Sequence, residues 1–318
     1  MKIAITGGTG TLGRALIARL LAGDTERVVS VSRDEVKAGD LQAAYPGHPR
    51  LRVFLGSVRD KDRLVQAFQG CDTIIHAAAL KRVEQGSYSP GELIKTNIQG
   101  TINAIWAAAE VGAKKFIFIS SDKAVHATNL YGATKFTAEC YATGSNAYTY
   151  PRGLYVSVTR YGNVLGSRGS VIQAWRGTRS DVALPLTHPD MTRFIITQAQ
   201  AVDFVLGAVE SMQGGEIFVP DLPAARLVDL AEALYPGRPV EYVGLRPGGE
   251  KLHEMLVSQE EKVRLWEHVG STCTIVPHFR SWTTGAYRGV QWDDPPSFHS
   301  DTTRKLTVSQ LRTLCTHL

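Results

Sequence analysis

Cysteine is scarce in this chain, and the cysteines it has are badly placed for joint chemistry. Cys71, Cys140, Cys273 and Cys315 lie far apart, so there is no CxxC pair, disulfide framework or metal-ligand spacing. The nine histidines are scattered as well. None forms an HxxxH or HxH pair, and no metal is expected. Long apolar runs are also missing. The longest candidate, Thr73 to Leu80, has the length of a strand; a membrane span needs roughly 20 residues. Lys2 is followed at once by a short apolar strand and a glycine loop, with no signal-peptide h-region. The expectation is a cytoplasmic protein with no membrane partner. Basic charge is not concentrated either. The net charge is +5, but the densest groups are Lys81-Arg82 and Lys114-Lys115. Without a basic arm or stripe, nucleic acid is not an expected partner. A modest positive surplus suits an enzyme that handles anionic cofactors and substrates.

What is present is an ordinary globular composition over 318 residues, enough for a substantial core. The first half alternates two periodicities. Strand patterns fall at 2–5, 27–31, 51–55, 73–77, 115–119 and 154–159, and helical patterns at 11–22, 60–69, 93–111 and from 129 to about 147. Near-continuous apolar strands separated by helices predict an α/β fold, a doubly wound parallel sheet of Rossmann type covered on both faces. The second half is less regular. It offers a glycine-rich loop at 162–169, helices at 201–212 and 227–234, a strand at 216–219, and a tail from about 270 with one last helix at 308–314. No repeat or low-complexity linker interrupts it. The expected division is a dinucleotide-binding core of 1–165 plus about 198–222. The remainder, about 166–197 and 223–318, would form a smaller C-terminal substrate-binding lobe.

The segment Thr6-Gly7-Gly8-Thr9-Gly10-Thr11-Leu12-Gly13 joins the first strand to the first helix. Glycines at 7, 10 and 13 give the spacing GxxGxxG. Small residues let the backbone approach a pyrophosphate, and the N–H groups and dipole at the helix start favour its charge. A lone glycine motif is weak, but this strand-to-helix context is the one that supports it. The second strand ends in Ser32-Arg33-Asp34. A basic residue at that tip accommodates the extra phosphate of NADP, and an acidic one the ribose of NAD. Ser32 and Arg33 come first, so NADP is favoured, although Arg33 also reads as a solvated surface charge.

The fifth strand ends in Ser120-Ser121-Asp122-Lys123, at the sheet edge where ligands bind. Tyr131 and Lys135 follow, four residues apart and on one helix face. A lysine beside the phenol would pull its pKa down from about 10. Such a tyrosine can take a proton from a substrate hydroxyl that Ser121 holds. Alone, a Tyr-x-x-x-Lys spacing is usually a solvated helix face, and an adjacent Asp-Lys is usually a surface ion pair. Position changes that balance here.

Together these features resemble the short-chain dehydrogenase/reductase superfamily in its extended, nucleotide-sugar-modifying branch. Further stretches carry the resemblance: His76-Ala77-Ala78-Ala79-Leu80-Lys81, Thr96-Asn97-Ile98-Gln99-Gly100-Thr101, Asn129-Leu130-Tyr131-Gly132-Ala133-Thr134-Lys135, Arg160-Tyr161-Gly162-Asn163-Val164, His188-Pro189-Asp190-Met191-Thr192-Arg193-Phe194 and Glu250-Lys251-Leu252-His253-Glu254. In this order they look like the inverting UDP-N-acetylglucosamine 4,6-dehydratases of polysaccharide biosynthesis. The resemblance implies UDP-N-acetylglucosamine or a close UDP-sugar as substrate, and a hydride lent to NADP from C4 and returned to C6. It implies Tyr131 as the base at the C4 hydroxyl. Lys123 would serve as C5 base and reprotonating group, and Asp122 as acid for the C6 hydroxyl. Asp-Lys, where retaining dehydratases have Asp-Glu, points to inversion at C5. The resemblance also carries Val58, Ala77, Ala78, Ala79 and Lys81 into the cofactor site. Lys81, Asn163, Arg193 and Arg246 become candidates for the substrate, and Glu250 would bind the uridine ribose or brace Arg246. Each charged candidate reads equally as a structural ion pair. The resembled enzymes are commonly homo-oligomers, hexamers among them, so a homo-oligomer is expected on that ground alone.

Three places depart from the resembled pattern. Ser57 stands where an aspartate usually faces the adenine. His126 lies in a loop that usually reads Asn-Pro. Gly248-Gly249 adds one glycine before Glu250. Two other functions stay open at this point. A UDP-sugar 4-epimerase would use Tyr131 with NAD and leave Asp122-Lys123 idle. A cofactor-binding protein without catalysis would need none of these residues together.

Overall fold

The computed structural model describes residues 1–246, 248–268, 272–277, 282, 290–292, 295 and 297–316. The first half runs β1 (Lys2–Thr6), α1 (Thr11–Ala22), β2 (Arg27–Ser32), α2 (Glu35–Ala44), β3 (Leu51–Leu55), α3 (Lys61–Phe68) and β4 (Thr73–His76). Next come α4 (Val83–Tyr88), α5 (Pro90–Leu93), a π-helical stretch (Ile94–Gln99) and α6 (Gly100–Glu110). β5 (Lys115–Ile119), a 3-10 turn (Asp122–Ala124), α7 (Leu130–Gly144), α8 (Asn146–Thr149) and β6 (Tyr155–Thr159) complete the regular part. Beyond it lie β7 (Asn163–Val164), α9 (Val171–Arg176), β8 (Leu184–Leu186), β9 (Thr192–Ile196), α10 (Gln198–Ser211), β10 (Ile217–Pro220), β11 (Ala224–Arg226), α11 (Leu227–Leu234) and β12 (Val240–Tyr242). The last elements are α12 (Gln259–Lys262), β13 (Leu265–His268), β14 (Thr272–Ile275), β15 (Val290–Gln291) and α13 (Val308–Cys315).

The large sheet has the order β15-β13-β14-β10-β6-β5-β4-β1-β2-β3. From β3 to β10 all neighbours are parallel. The order 3-2-1-4-5-6 reverses between β1 and β4, which opens a crevice at the carboxyl ends of the strands. This is the expected Rossmann-type doubly wound sheet. Alternation along β1 explains how both faces are covered. Ile3 and Ile5 point to a core with Leu16, Ile17, Val202 and Val205 from α1 and α10. Ala4 points to the opposite core with Leu64, Phe68, Ala104 and Ala138 from α3, α6 and α7. Each fully buried side chain of this size contributes roughly 1.5–3 kcal/mol of apolar burial. A third core gathers Trp175, Leu184, Leu186, Met191, Leu230 and Leu311 from the second half of the chain.

Four elements differ from the expectations. α2 carries no apolar stripe, since only Ala38 and Leu41 are buried; the Asp34 side chain starts it by accepting from Lys37 N. The single helix expected at 93–111 is divided by the π-helical stretch. The loop expected at 162–169 begins with β7, which pairs with β9. β13 to β15 lie in the stretch assigned to the smaller lobe, yet they extend the large sheet antiparallel from β10. Without them β10 would be a bare edge with unpaired backbone groups. The tail is described only in part, and α13 stands where its last helix was expected. Among the described residues no helix is long and apolar enough to cross a membrane.

Candidate active site

The crevice begins at the glycine loop. Gly7 has φ +70°, and a Cβ there would lie 2.9 Å from the Ala78 backbone. A Cβ on Gly13 would come within 2.4 Å of the Gly7 carbonyl. Gly10 caps α1, and its N–H donates to the Gly7 carbonyl at 2.9 Å. Glycine is thus demanded by close backbone approach, and the loop leaves the start of α1 open to an anion. Thr9 Oγ1 meets Ser32 Oγ at 2.8 Å, tying the loop to the tip of β2. Thr11 and Leu12 open α1. Ala77 and Ala78 donate to the Thr6 carbonyl and hydroxyl across the crevice floor. This cradle fits a dinucleotide. Arg33 is exposed at the tip of β2, while Asp34 is engaged in capping α2 and pairing with Lys37.

The end of β5 brings the catalytic candidates together. Asp122 is fully buried. Its Oδ1 accepts from Ser121 Oγ at 2.8 Å and from Lys123 Nζ at 3.0 Å. Its Oδ2 has no hydrogen-bond partner among the described residues. Burial pushes this carboxyl above the usual range, against the pull of Lys123. Lys123 Nζ also reaches Asn163 Oδ1 at 3.3 Å and Glu254 Oε1 at 3.4 Å. Burial alone would lower the Lys123 pKa, but Asp122 and Glu254 outweigh it and hold the group as an ammonium. Tyr131 opens α7, which Asn129 caps by accepting from Gly132 N. Burial pushes the phenol above its ordinary value, while Lys123 and a hydrogen bond with Ser121 work to lower it.

Lys135 behaves differently from the expectation. Its Nζ donates to the Ile119 carbonyl and stands 4.0 Å from the centre of the Phe118 ring. Burial lowers its pKa to about 7, despite Glu139. The leading cation acting on Tyr131 is therefore Lys123. The shared helix face put Lys135 near the site, but the packing of β5 turned its ammonium toward the strand end.

The substrate candidates divide. Asn163 joins the Lys123 cluster. Arg193 is buried and donates to the carbonyls of Thr192, Leu252 and Lys251 and to Glu250. It brackets the Glu250–Glu254 segment, which is the structural alternative left open for it. Glu250 accepts from Arg246 Nη2 at 2.5 Å and Nε at 3.1 Å, so it braces Arg246. Lys81 is exposed at the mouth of the crevice. Ser57 and Val58 lie in the turn after β3, where Asp60 donates to the Ser57 carbonyl and caps α3; Val58 is buried against Gly100. Ala79 lies in the loop leaving β4.

Two residues were not singled out as candidates beforehand. Glu254 is 3% exposed and completes the charge cluster around Lys123. Asn97, on the π-helical stretch, clamps Leu80 through N–H and C=O at 2.8 and 2.9 Å and reaches Thr134 Oγ1 on α7 at 3.0 Å. Both lie inside motifs already quoted. A lone Glu or Asn on an irregular stretch gives no periodic signal that it points inward.

The profile of the family described as polysaccharide biosynthesis protein matches residues 3–276. The chain belongs to this family. The inverting UDP-N-acetylglucosamine 4,6-dehydratase of Campylobacter jejuni subsp. jejuni serotype O:2 is 43% identical over 269 residues, covering 84% of this chain and 80% of that one. A UDP-glucose 4-epimerase of Rickettsia massiliae is 38% identical over 271 residues, covering 82% and 79%. The X-ray structure of Pen from Bacillus thuringiensis superposes with a TM-score of 0.89 at 32% identity, covering 98% of this chain and 96% of that one. The polysaccharide biosynthesis match runs from β1 through β14 and so takes in the glycine loop, Asp122-Lys123, Tyr131 and Glu254.

The departures from the family pattern can now be placed. Gly249 has φ +78°, and a Cβ there would lie 2.3 Å from the Thr128 carbonyl. The extra glycine packs against the loop after Lys123, and Lys251 Nζ donates to the Val125 carbonyl at 2.6 Å from the same side. Pro247 lies outside the described residues. His126 has φ +45°, is exposed, and faces Glu260 at 3.7 Å, away from Lys123. Replacing His126 with glycine should relieve the positive φ. It should also leave the pH–rate profile between about pH 5 and 8 unchanged. A changed profile in the folded variant would put His126 in the chemistry.

Proposed function

We propose that this chain catalyses the NADP-dependent 4,6-dehydration of UDP-N-acetylglucosamine, or a close UDP-sugar, with inversion at C5. The observation that carries the reading is the buried Asp122, bonded to Lys123 and Ser121 at the carboxyl end of β5 with Tyr131 beside it. A UDP-sugar 4-epimerase has no use for an acid and an amine placed together there. The 43% identity to a protein named for this dehydration supports the substrate class. Arg33, exposed beside Ser32 while Asp34 caps α2, supports NADP over NAD.

A bound nicotinamide cofactor would supply the transient oxidation at C4 and the later reduction at C6, and would end unchanged. The other steps fall to side chains. Tyr131 takes the proton of the C4 hydroxyl while Ser121 holds its oxygen. The resulting ketone acidifies C5. Lys123 removes that proton and returns one to C5; for C5 to invert, the unsaturated intermediate must present its opposite face before the proton is returned. Asp122, pushed toward its protonated form by burial, gives a proton to the departing C6 hydroxyl, which leaves as water. Lys123 rests as an ammonium and Tyr131 as a phenol, so each must first release its own proton to solvent before it acts as a base. Lys135 is assigned to the cofactor, and Arg246, braced by Glu250, to the substrate diphosphate.

Incubation with UDP-N-acetylglucosamine in deuterated water, with NADP and NAD compared, tests this. The expected product is lighter by one water, carries deuterium at C5 and forms faster with NADP. A product of unchanged mass would replace dehydration with epimerisation. A dehydrated product without deuterium at C5 would remove Lys123 from its role.

A further inference from the structure

We propose that Glu254 is a positioning residue for the dehydration: together with Asp122 it anchors the Lys123 ammonium, and so helps set when Lys123 can act as a base. The proposal rests on the dehydratase reading.

The placement of Glu254 is set by its backbone. Its N–H donates to Ser300 Oγ at 2.8 Å, and its carbonyl accepts from Ser300 N at 2.8 Å. Ser300 in turn meets Thr192, the neighbour of Arg193. This holds a carboxylate almost fully out of water. A buried carboxylate is tolerated only with cations beside it. Three are present: Lys123 at 3.4 Å, Lys251 at 3.4 Å and Arg193 at 3.9 Å. All three have other partners. Both Nη atoms of Arg193 are taken by three backbone carbonyls and Glu250, Lys251 donates to the Val125 carbonyl, and Lys123 donates to Asp122 and Asn163. Lys123 is the cation that also faces the reacting groups.

Every charged or titratable group around Lys123 can be named. Asp122 and Glu254 attract it, Arg193 and Lys81 repel it, and Tyr131 lies within the same field; Ser121 and Asn163 complete the polar shell. Of the two carboxyls, Asp122 is pushed toward its neutral form by burial. Lys123, Arg193 and Lys251 overcome the same effect at Glu254 and hold it charged. Both carboxyls hold the Lys123 ammonium: Asp122, its sequence neighbour, acts most strongly, and Glu254, remote in sequence, adds a second pull. Removing Glu254 should make Lys123 easier to deprotonate. An opposite charge within about 4–6 Å shifts a pKa by about 1–3 units.

The test is the pH dependence of kcat/KM, which reports groups of the free enzyme. Because Lys123 must be neutral to take the C5 proton, the wild-type rate should climb through the alkaline range. In Glu254→Gln the climb should level off at a pH lower by about one unit or more. A uniform loss at every pH, with the limb unmoved, would reduce Glu254 to a structural residue and overturn the proposal. If Glu254→Gln does not fold, Glu254→Asp decides: the shorter carboxylate recedes from Nζ, so the limb should move the same way by less. An unmoved limb in a folded Glu254→Asp protein overturns the proposal. Wild-type enzyme that releases no water from the UDP-sugar would instead overturn the dehydratase reading, a result distinct from either variant's.

Discussion

Replacing Tyr131 with phenylalanine should lower kcat for water loss by about 10²–10⁴ and leave the fold intact. The ring sits 8% exposed at the start of α7, so phenylalanine fills the same space. What is lost is one hydroxyl and its bond to Ser121. A hydrogen bond of this kind contributes about 0.5–1.5 kcal/mol to stability, so the thermal midpoint should fall by only a few degrees. Chemistry suffers far more, because no other group is placed to take the C4 proton. Burial pushes the Asp122 carboxyl above its usual range, which weakens it as a base, and Asp122 and Glu254 hold Lys123 as an ammonium. The measurement is product formation by mass spectrometry beside a melting curve. A Tyr131→Phe enzyme that keeps more than about a tenth of the activity would show that another group performs the proton transfer usual for a general base.

The contrast between Tyr131 and Lys135 shows what could be read from sequence. Their spacing of four placed both on one face of α7, and the structure agrees. Spacing could not reveal where each long side chain ends. Lys135 reaches back to the Ile119 carbonyl, a choice made by β5 and Phe118. The glycine loop was legible because most of its constraint is local: Gly10 and Gly13 meet the backbone of Gly7 and Gly8, although Gly7 itself is confined by the distant Ala78. The parallel sheet was legible because β1, β2, β4, β5 and β6 are near-continuous apolar runs. Glu254 was not legible as a site residue. Its role comes from Ser300 and Lys123, both distant in sequence, and no period links the three. β13 and β14 escaped for a similar reason, since their function is to cover an edge that only the assembled sheet has. α2 escaped because a helix that buries only Ala38 and Leu41 has almost no stripe to read.

Replacing Arg160 with methionine should cost about 3–5 kcal/mol of stability, the largest loss expected from one substitution here. Arg160 is 1% exposed at the end of β6. It donates to Glu139 at 2.7 and 3.1 Å, to both oxygens of Glu261 at 2.9 Å, and to the Leu256 carbonyl at 2.9 Å. These partners join the strand leading to Asn163, the helix carrying Tyr131, and the segment that follows Glu254. Methionine keeps much of the volume but leaves two carboxylates facing each other, with only the weaker pull of Arg264 on Glu261. The cost is thus that of unpaired buried charge, and it should be reversible by removing the charge. The triple variant Arg160→Met, Glu139→Gln, Glu261→Gln should regain most of the loss, because glutamine still completes the capping box with Ser258 that starts α12. The pH dependence gives a second signature. Burial would raise the Glu261 pKa, but Arg160 outweighs it and holds the carboxyl below its usual range. A depressed carboxylate stabilises the fold above its unfolded pKa, about 4.3. That stabilisation is lost as pH falls through the lower folded value. Denaturant titrations of the wild type should show this acid-side loss, and the triple variant should lack Glu261's share of it. An Arg160→Met protein within about 1 kcal/mol of wild type, far below the range for a broken buried pair, would mean that water reaches the two glutamates and that the triad does not hold the three segments together.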